Sequence, residues 1–401
     1  MTTPVENKPE LAIFVFIDAL GWEIFSKHGL MNDVWSITAP QETILGYSCT
    51  CDPTILTGCL PSEHGHFSFY LNDEKKSPFR GMNLLKALPS KIVDRGRVRR
   101  WLSRGIAKWH GFDGYFQLYE TPFEYLPFFD YSEKRDIYQP DGINGGQPTI
   151  FDEIRSRKIP FSLSDWRKSE TKNLHQLKSD IKKVQPRFAY LYLAGLDGIL
   201  HRTGTESTEV VKHLAFYDNE LREVLDLAGK HYQDVRIYVF SDHGMTNVHQ
   251  HLDLMKYLQA LPLKFGNDYV VYLDSTMARF WFRNSAAVAQ VQKCLSKIKN
   301  GRILSESELI KYGVHFADQR YGELIFLCDP GVLICPSFMG RKPMAGMHGY
   351  APEHCDSSAM IACSVGECPV PKRLNEMYRL MSWELDRLES NSVPALTSGD
   401  Y

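Results

Sequence analysis

Neither sign of charge dominates this sequence of 401 residues, in which forty-six Lys and Arg stand against forty-eight Asp and Glu. So even a balance gives no global attraction for a polyanion, so no binding of a nucleic-acid duplex is expected and an anionic partner has to be held locally. Long apolar runs are missing too. The stretch from Leu11 to Leu20 is too short to span a bilayer, already contains Asp18, and follows a polar start with no basic segment. Without a signal peptide or transmembrane segment, a soluble cytoplasmic protein is expected. Cysteine is irregular: nine residues, an odd number without scaffold spacing, fit reduced thiols better than a disulfide framework. Cys49-x-Cys51 has no second such pair, so core thiols are expected there rather than a metal clip. Internal repeats and low-complexity linkers are lacking. The chain does have 43% hydrophobic and 12% aromatic content, enough for one large domain with insertions or for two domains.

Four stretches share one pattern, a buried segment that ends in polar ligating residues. Val235 to Phe240 reads as a buried strand running into Ser241-Asp242-His243-Gly244-Met245, and Leu11 to Ile17 as another running into Asp18. Arg187 to Leu193 is a strand followed by Gly195-Leu196-Asp197, with His201 four residues after the acid, so a helical turn places both on one face. Late in the chain, His348 sits in Gly346-Met347-His348-Gly349-Tyr350, where the glycines allow backbone to approach a site closely. Open α/β sheets keep their sites at the carboxyl ends of strands. A hydroxyl-rich turn around Ser48 and Thr50 runs into a short helix expected to stop at Gly58, which puts a hydroxyl at a helix N-terminus suited to an anion.

Between these stretches the pattern changes. From Phe69 to about Gly146 the chain reads as an inserted cap. Within it, Lys86, Lys91, Arg95, Arg97, Arg99, Arg100, Arg104 and Lys108 interleave with Ile92, Val98, Trp101, Leu102, Ile106 and Trp109. Such a basic amphipathic segment, 86–109, is either a solvated helix face or a contact for an anionic substrate or a membrane surface. Farther on, strands at Tyr269 to Leu273 and Met277 to Phe282, a helix from Ala286 to Ile298, and a hairpin from Gly322 to Phe338 folded at Asp329-Pro330-Gly331 describe a smaller α+β lobe. The division expected is a metal-binding core over 1–245 and 341–401, with 70–146 inserted as the cap and 246–340 as the smaller lobe.

Together Asp18, a hydroxyl near Ser48, Asp197, His201, Asp242, His243 and His348 form the candidate site. Three carboxylates and three imidazoles suit two borderline divalent ions, most simply zinc, whereas magnesium or calcium would take oxygen almost exclusively.

The order of a strand Asp, a hydroxyl ahead of Leu56-Thr57-Gly58-x-x-Pro61-x-x-His64-Gly65, Asp197-x-x-x-His201, Ser241-Asp242-His243-Gly244-Met245 and His348-Gly349-Tyr350 resembles the alkaline phosphatase superfamily, in its nucleotide pyrophosphatase/phosphodiesterase branch. The likeness runs from Leu11 to about Cys363. It implies an α/β fold with a doubly wound, mostly parallel sheet. One zinc would take Asp197, His201 and His348, the other Asp18, Asp242 and His243. The nucleophile would bridge them ten residues before Gly58, at Ser48, where this branch usually has Thr. The implied activity is hydrolysis of phosphodiester or pyrophosphate bonds in a small-molecule ester through a seryl-phosphate. A phosphomonoesterase or head-group transferase using the same site is the alternative, and an inactive binding protein a remote one.

Overall fold

The structure is a computed structural model that describes residues 8–87 and 95–390. Lys91 and Ile92 lie outside the described residues. Its centre is a six-stranded sheet in the order Ile37–Gln41, Ala359–Cys363, Asp234–Phe240, Glu10–Ile17, Phe188–Leu193, Phe161–Leu163. Of these, only Ala359–Cys363 runs against the others, so the sheet is mostly parallel, as the sequence predicts. Leu11 to Ile17 is wholly buried, which is the consequence of a parallel strand covered on both faces and explains its unbroken apolar run. On one face Ile13, Val15 and Ile17 pack with Leu214, Tyr217 and Leu221 from the helix Thr208–His231. On the other, Phe14 stacks between Phe188 and Tyr238, and the helix Met377–Ser390 closes the layer with Leu380, Met381 and Leu385.

Register carries the site. Phe16 pairs with both Tyr192 and Phe240, so the three central strands end level with one another, and the amide of Asp18 donates to the carbonyl of Leu193 at 3.0 Å. Residues just past the ends of these strands therefore emerge side by side.

A second, four-stranded antiparallel sheet follows the order Tyr269–Leu273, Met277–Phe282, Leu324–Cys328, Gly301–Ile303, with the helix Ser285–Leu295 packed on it. The expected hairpin from Gly322 to Phe338 does not form. Leu324–Cys328 has both hydrogen-bonding edges occupied, by Met277–Phe282 and by Gly301–Ile303, so it offers no edge to the chain returning after the turn at Gly331. Val332–Ile334 instead pairs in parallel with Gln250–Leu252. All nine cysteines are free thiols, and Cys49 and Cys51 are buried, as expected of core thiols. Among the described residues no helix is long and apolar enough to cross a membrane.

Candidate active site

Each ligating residue is delivered by an element whose geometry follows from its sequence. Asp18 leaves its strand in a tight turn in which Ala19 adopts a φ of 62°, and the Ala19 amide donates to Asp242 Oδ1 at 3.2 Å. Gly21 and Gly244 let the two loops touch. A Cβ on Gly21 would lie 2.4 Å from the Gly244 Cα, so no larger residue fits there without moving Asp18 away from Asp242. Asp197 and His201 lie on the helix Gly195–Thr203, where their i, i+4 spacing brings His201 Nε2 to 3.2 Å from Asp197 Oδ1. His348 follows a two-residue strand, Gly346–Met347, that pairs with Thr246–Asn247 and so ties the late loop to the one carrying His243.

The seven expected residues converge. Asp197, His201 and His348 form one group whose ligating atoms lie within 4.8 Å of one another, and Asp18, Asp242 and His243 form a second under the same limit. The groups meet where the rings of His243 and His348 stack with centroids 3.7 Å apart. Ser48, in the first turn of the helix Ser48–Thr57, reaches His243 Nε2 with its Oγ at 3.2 Å. Thr50 does not. Because the segment is helical rather than extended, its side chain turns away and donates to the Phe67 carbonyl at 2.6 Å. The helix ends at Gly58, φ 72°, as the sequence predicts. His64 steadies it from outside the site, 2.9 Å from Thr54 Oγ1. His66, pushed down to about 3 by burial, accepts from the Asn144 amide and is a neutral structural group.

The electrostatics of the two groups call for cations. Nδ1 of His201 faces the Gly346 carbonyl and Nδ1 of His243 the Gly244 carbonyl, each at 2.9 Å, so each Nδ1 carries the proton. The Nε2 lone pairs then point at carboxylate oxygens, 3.2 Å from Asp197 and 2.9 Å from Asp242. Two acceptors at contact distance repel unless a positive charge lies between them. Asp18 Oδ1, Asp197 Oδ1, Asp242 Oδ2 and His348 Nδ1 are buried and have no hydrogen-bond partner. Unsatisfied polar atoms of that kind are costly, and divalent ions would satisfy all four. Burial, reinforced by Asp242 and Asp197, pushes the Asp18 carboxyl well above its usual range. His348 is driven well below its usual value by burial, then by the neighbouring His243 and His201, so it stays neutral and able to ligate. The donor set fits two metal ions.

A cavity of about 350 Å³ opens over these groups. Ser48, Asp18, Asp197, His201 and His348 form its floor, and its walls include Phe69, Tyr115, Tyr119, Tyr138, Trp166 and Met344. Among the described residues neither Lys nor Arg lines it. Four functional neighbours escape the sequence reading. Tyr192 donates to Asp18 Oδ2 at 3.4 Å, Asp52 lies one helical turn beyond Ser48, Glu133 is raised to about 8 by burial, and Asp274 is held at 2.7 Å by Arg279. Two signals could have found some of them, the i, i+4 spacing of Ser48 and Asp52 and the place of Asp274 directly after the apolar run Tyr269 to Leu273. Of the basic segment, Arg97, Arg99, Arg100 and Arg104 do not line the cavity. Arg99 is buried rather than solvated, and donates to the carbonyls of Tyr119 and Thr121 at 2.9 and 2.8 Å. A third potential group, His354-Cys355-Asp356, is partly exposed and lies outside the cavity lining.

The family model for type I phosphodiesterase / nucleotide pyrophosphatase matches residues 12–351. The chain belongs to that family. With it comes membership of the alkaline phosphatase superfamily, and the protein is a phosphohydrolase of a metal-dependent family. No curated protein matches at the sequence level. Human ectonucleotide pyrophosphatase / phosphodiesterase 5 shares the fold at 13% identity, with a TM-score of 0.67 over 94% of this chain and 95% of that one. The murine counterpart aligns at 14% identity and a TM-score of 0.66, covering 96% of each chain. An inactive form of the murine protein in complex with AMP aligns at 14% identity, TM-score 0.65, over 97% of this chain and 96% of that one. The α/β fold of this phosphodiesterase family member is thus the one its sequence implies.

Proposed function

We propose that this phosphodiesterase family member is a two-zinc hydrolase of small-molecule phosphodiesters that acts through a covalent phosphoryl group on Ser48. The observation that carries the reading is the meeting of two carboxylate–imidazole groups at the His243–His348 stack, with the Ser48 hydroxyl 3.2 Å from His243 Nε2. Asp197, His201 and His348 would hold one ion, and Asp18, Asp242 and His243 the other. Bound divalent ions supply positive charge that favours the serine alkoxide and offsets charge on the phosphoryl oxygens.

The chain's own residues do the rest. Ser48 is fixed at a helix N-terminus, so the first-turn amides and the helix dipole face an arriving phosphoryl group. Its hydroxyl proton passes to solvent water, its Oγ forms a bond to phosphorus as the bond to the leaving alcohol breaks, and the leaving oxygen takes a proton from water. A water molecule then displaces Ser48, releasing a phosphomonoester and restoring the hydroxyl. Tyr192 holds the Asp18 carboxylate, and the carbonyls of Gly244 and Gly346 hold the two imidazoles in the tautomer that presents Nε2. The aromatic wall of the cavity accommodates the organic group. With no Lys or Arg among the described lining residues to meet a second phosphate, the lining favours a single phosphodiester over a pyrophosphate. In the same reading, segment 70–146 covers the site and 246–340 is a smaller lobe beside the catalytic core.

Metal analysis together with turnover of bis-nitrophenyl phosphate, nitrophenyl phosphate and a nucleoside triphosphate tests the proposal. Two zinc per chain and a clear preference for the diester are expected. Preference for the monoester would make it a phosphomonoesterase, and preference for the triphosphate would remove the argument from the cavity lining.

A further inference from the structure

The helix Gly96–His110 carries a face that the active site does not use. Its inner side is anchored. Arg99 and Ser103 are buried, Leu102 and Ile106 pack on the large apolar cluster of the second sheet, and Arg99 lies over the Phe123 ring at 4.4 Å. Ser103 Oγ accepts from the Leu118 amide at 3.0 Å, so both polar groups of the inner side are bonded to the body. This helix is therefore held in place and cannot roll to hide its other side.

The outer side follows the helical spacing Arg97, Arg100, Trp101, Arg104, Lys108, Trp109, and all six residues are exposed. Trp101 is 74% exposed and Trp109 87%, among the most exposed large apolar side chains described. Placing two indoles in water on a fixed helix forgoes their burial, and nothing in the fold requires it. They lie eight residues apart, about 12 Å along the axis, on the same face. The four cations beside them form no ion pair among the described residues, and the helix contains no Asp or Glu to neutralise them.

We infer that this face docks the protein onto an anionic phospholipid surface. Charge complementarity and the indoles together select that occupant. Phosphate head groups attract the cations at the level where Trp side chains reside in a bilayer, and an amphipathic helix lying in the interface presents both at once. A nucleic-acid duplex would engage the cations, but its bases are already stacked and would leave two exposed indoles without a partner. The inference is independent of the phosphodiesterase chemistry, because none of these residues lines the cavity.

Co-sedimentation of the full chain with vesicles tests it. Vesicles of phosphatidylcholine alone are compared with vesicles in which about one third of the lipid is phosphatidylglycerol. Binding is expected to the anionic vesicles only, weakening as salt rises. Each cation near a surface contributes about a fivefold factor, so Arg97→Gln/Arg100→Gln/Arg104→Gln should lower the partition coefficient by about a hundredfold. Trp101→Ala/Trp109→Ala should lower it at least tenfold at unchanged charge. Both variants should hydrolyse a soluble nitrophenyl ester at the rate of the unaltered protein, which shows that they fold. Absence of binding to anionic vesicles would overturn the inference, as would equal binding to neutral ones. So would retention of binding by the double tryptophan variant, or tighter binding of a single-stranded RNA oligonucleotide than of the anionic vesicles.

Discussion

His243 and His348 stack ring on ring, 3.7 Å between centroids and 12° from parallel, although 105 positions of chain separate them. Each belongs to a different group of metal-ligating residues, so the contact joins the two halves of the site. If each group holds its own ion, Asp197→Ala or His348→Ala should release one metal and leave the other. Asp242→Ala should release the complementary one. Metal analysis of the purified variants reads the difference, and a loss of both ions from every variant would show one shared site instead. Circular dichroism should be unchanged, since these residues lie past the ends of the strands.

Ser48 and Thr50 separate function from stability. Ser48→Ala should keep both metals and the fold while turnover falls by several orders of magnitude, because a covalent nucleophile is removed. Thr50→Ala should remain active but unfold earlier. The change removes a buried hydrogen bond to the Phe67 carbonyl and leaves that acceptor unsatisfied, at a cost of about 1–3 kcal/mol. Parallel kinetics and thermal melts distinguish the two.

Much of this site was legible in the sequence because its residues sit where a continuous apolar run stops. Asp18, Asp197 and Asp242 each follow a buried strand, and the parallel register brings those ends level. Glu133 was not legible, since it reaches the cavity from a loop whose position depends on packing of the whole chain. Asp274 does follow a buried strand, Tyr269–Leu273, but one of the second sheet, and only the packing of that sheet brings its end to the cavity. The misread hairpin after Leu324 has the same origin, since a turn sequence at Asp329-Pro330-Gly331 predicts a turn but not whether the strand before it still has a free edge. Arg99 looked like its neighbours on a basic helix, but its i, i+4 spacing with Ser103 places it on the inner side.

Buried Glu133 gives a pH-dependent signature. Its folded-state value, raised to about 8 by burial, exceeds that of the unfolded chain, so the neutral form is the one the fold prefers. Stability from this group is therefore fully present below the unfolded value near 4.3 and is lost as pH rises toward about 8. Glu133→Gln keeps an acceptor for the Tyr115 amide but cannot ionise. The melting temperature of the variant should match the unaltered protein at low pH and exceed it increasingly toward pH about 8. A constant offset at all pH values would assign the effect to packing.

Arg279 is wholly buried and donates to Asp274, Ser68 and the Tyr70 carbonyl at 2.7 to 2.9 Å. Arg279→Leu would strand the Asp274 charge beside the cavity, and the expected loss is about 3–5 kcal/mol in denaturant unfolding. Restoring neutrality with Arg279→Leu/Asp274→Asn should recover part of it.

The central claim is a covalent phosphoryl group on Ser48, and the most direct measurement is mass spectrometry of enzyme quenched in acid during turnover of a nitrophenyl phosphodiester. The account predicts an added phosphoryl ester on the peptide containing Ser48, absent in Ser48→Ala. An adduct on Thr50, or steady turnover by Ser48→Ala with no adduct on any residue, would contradict it.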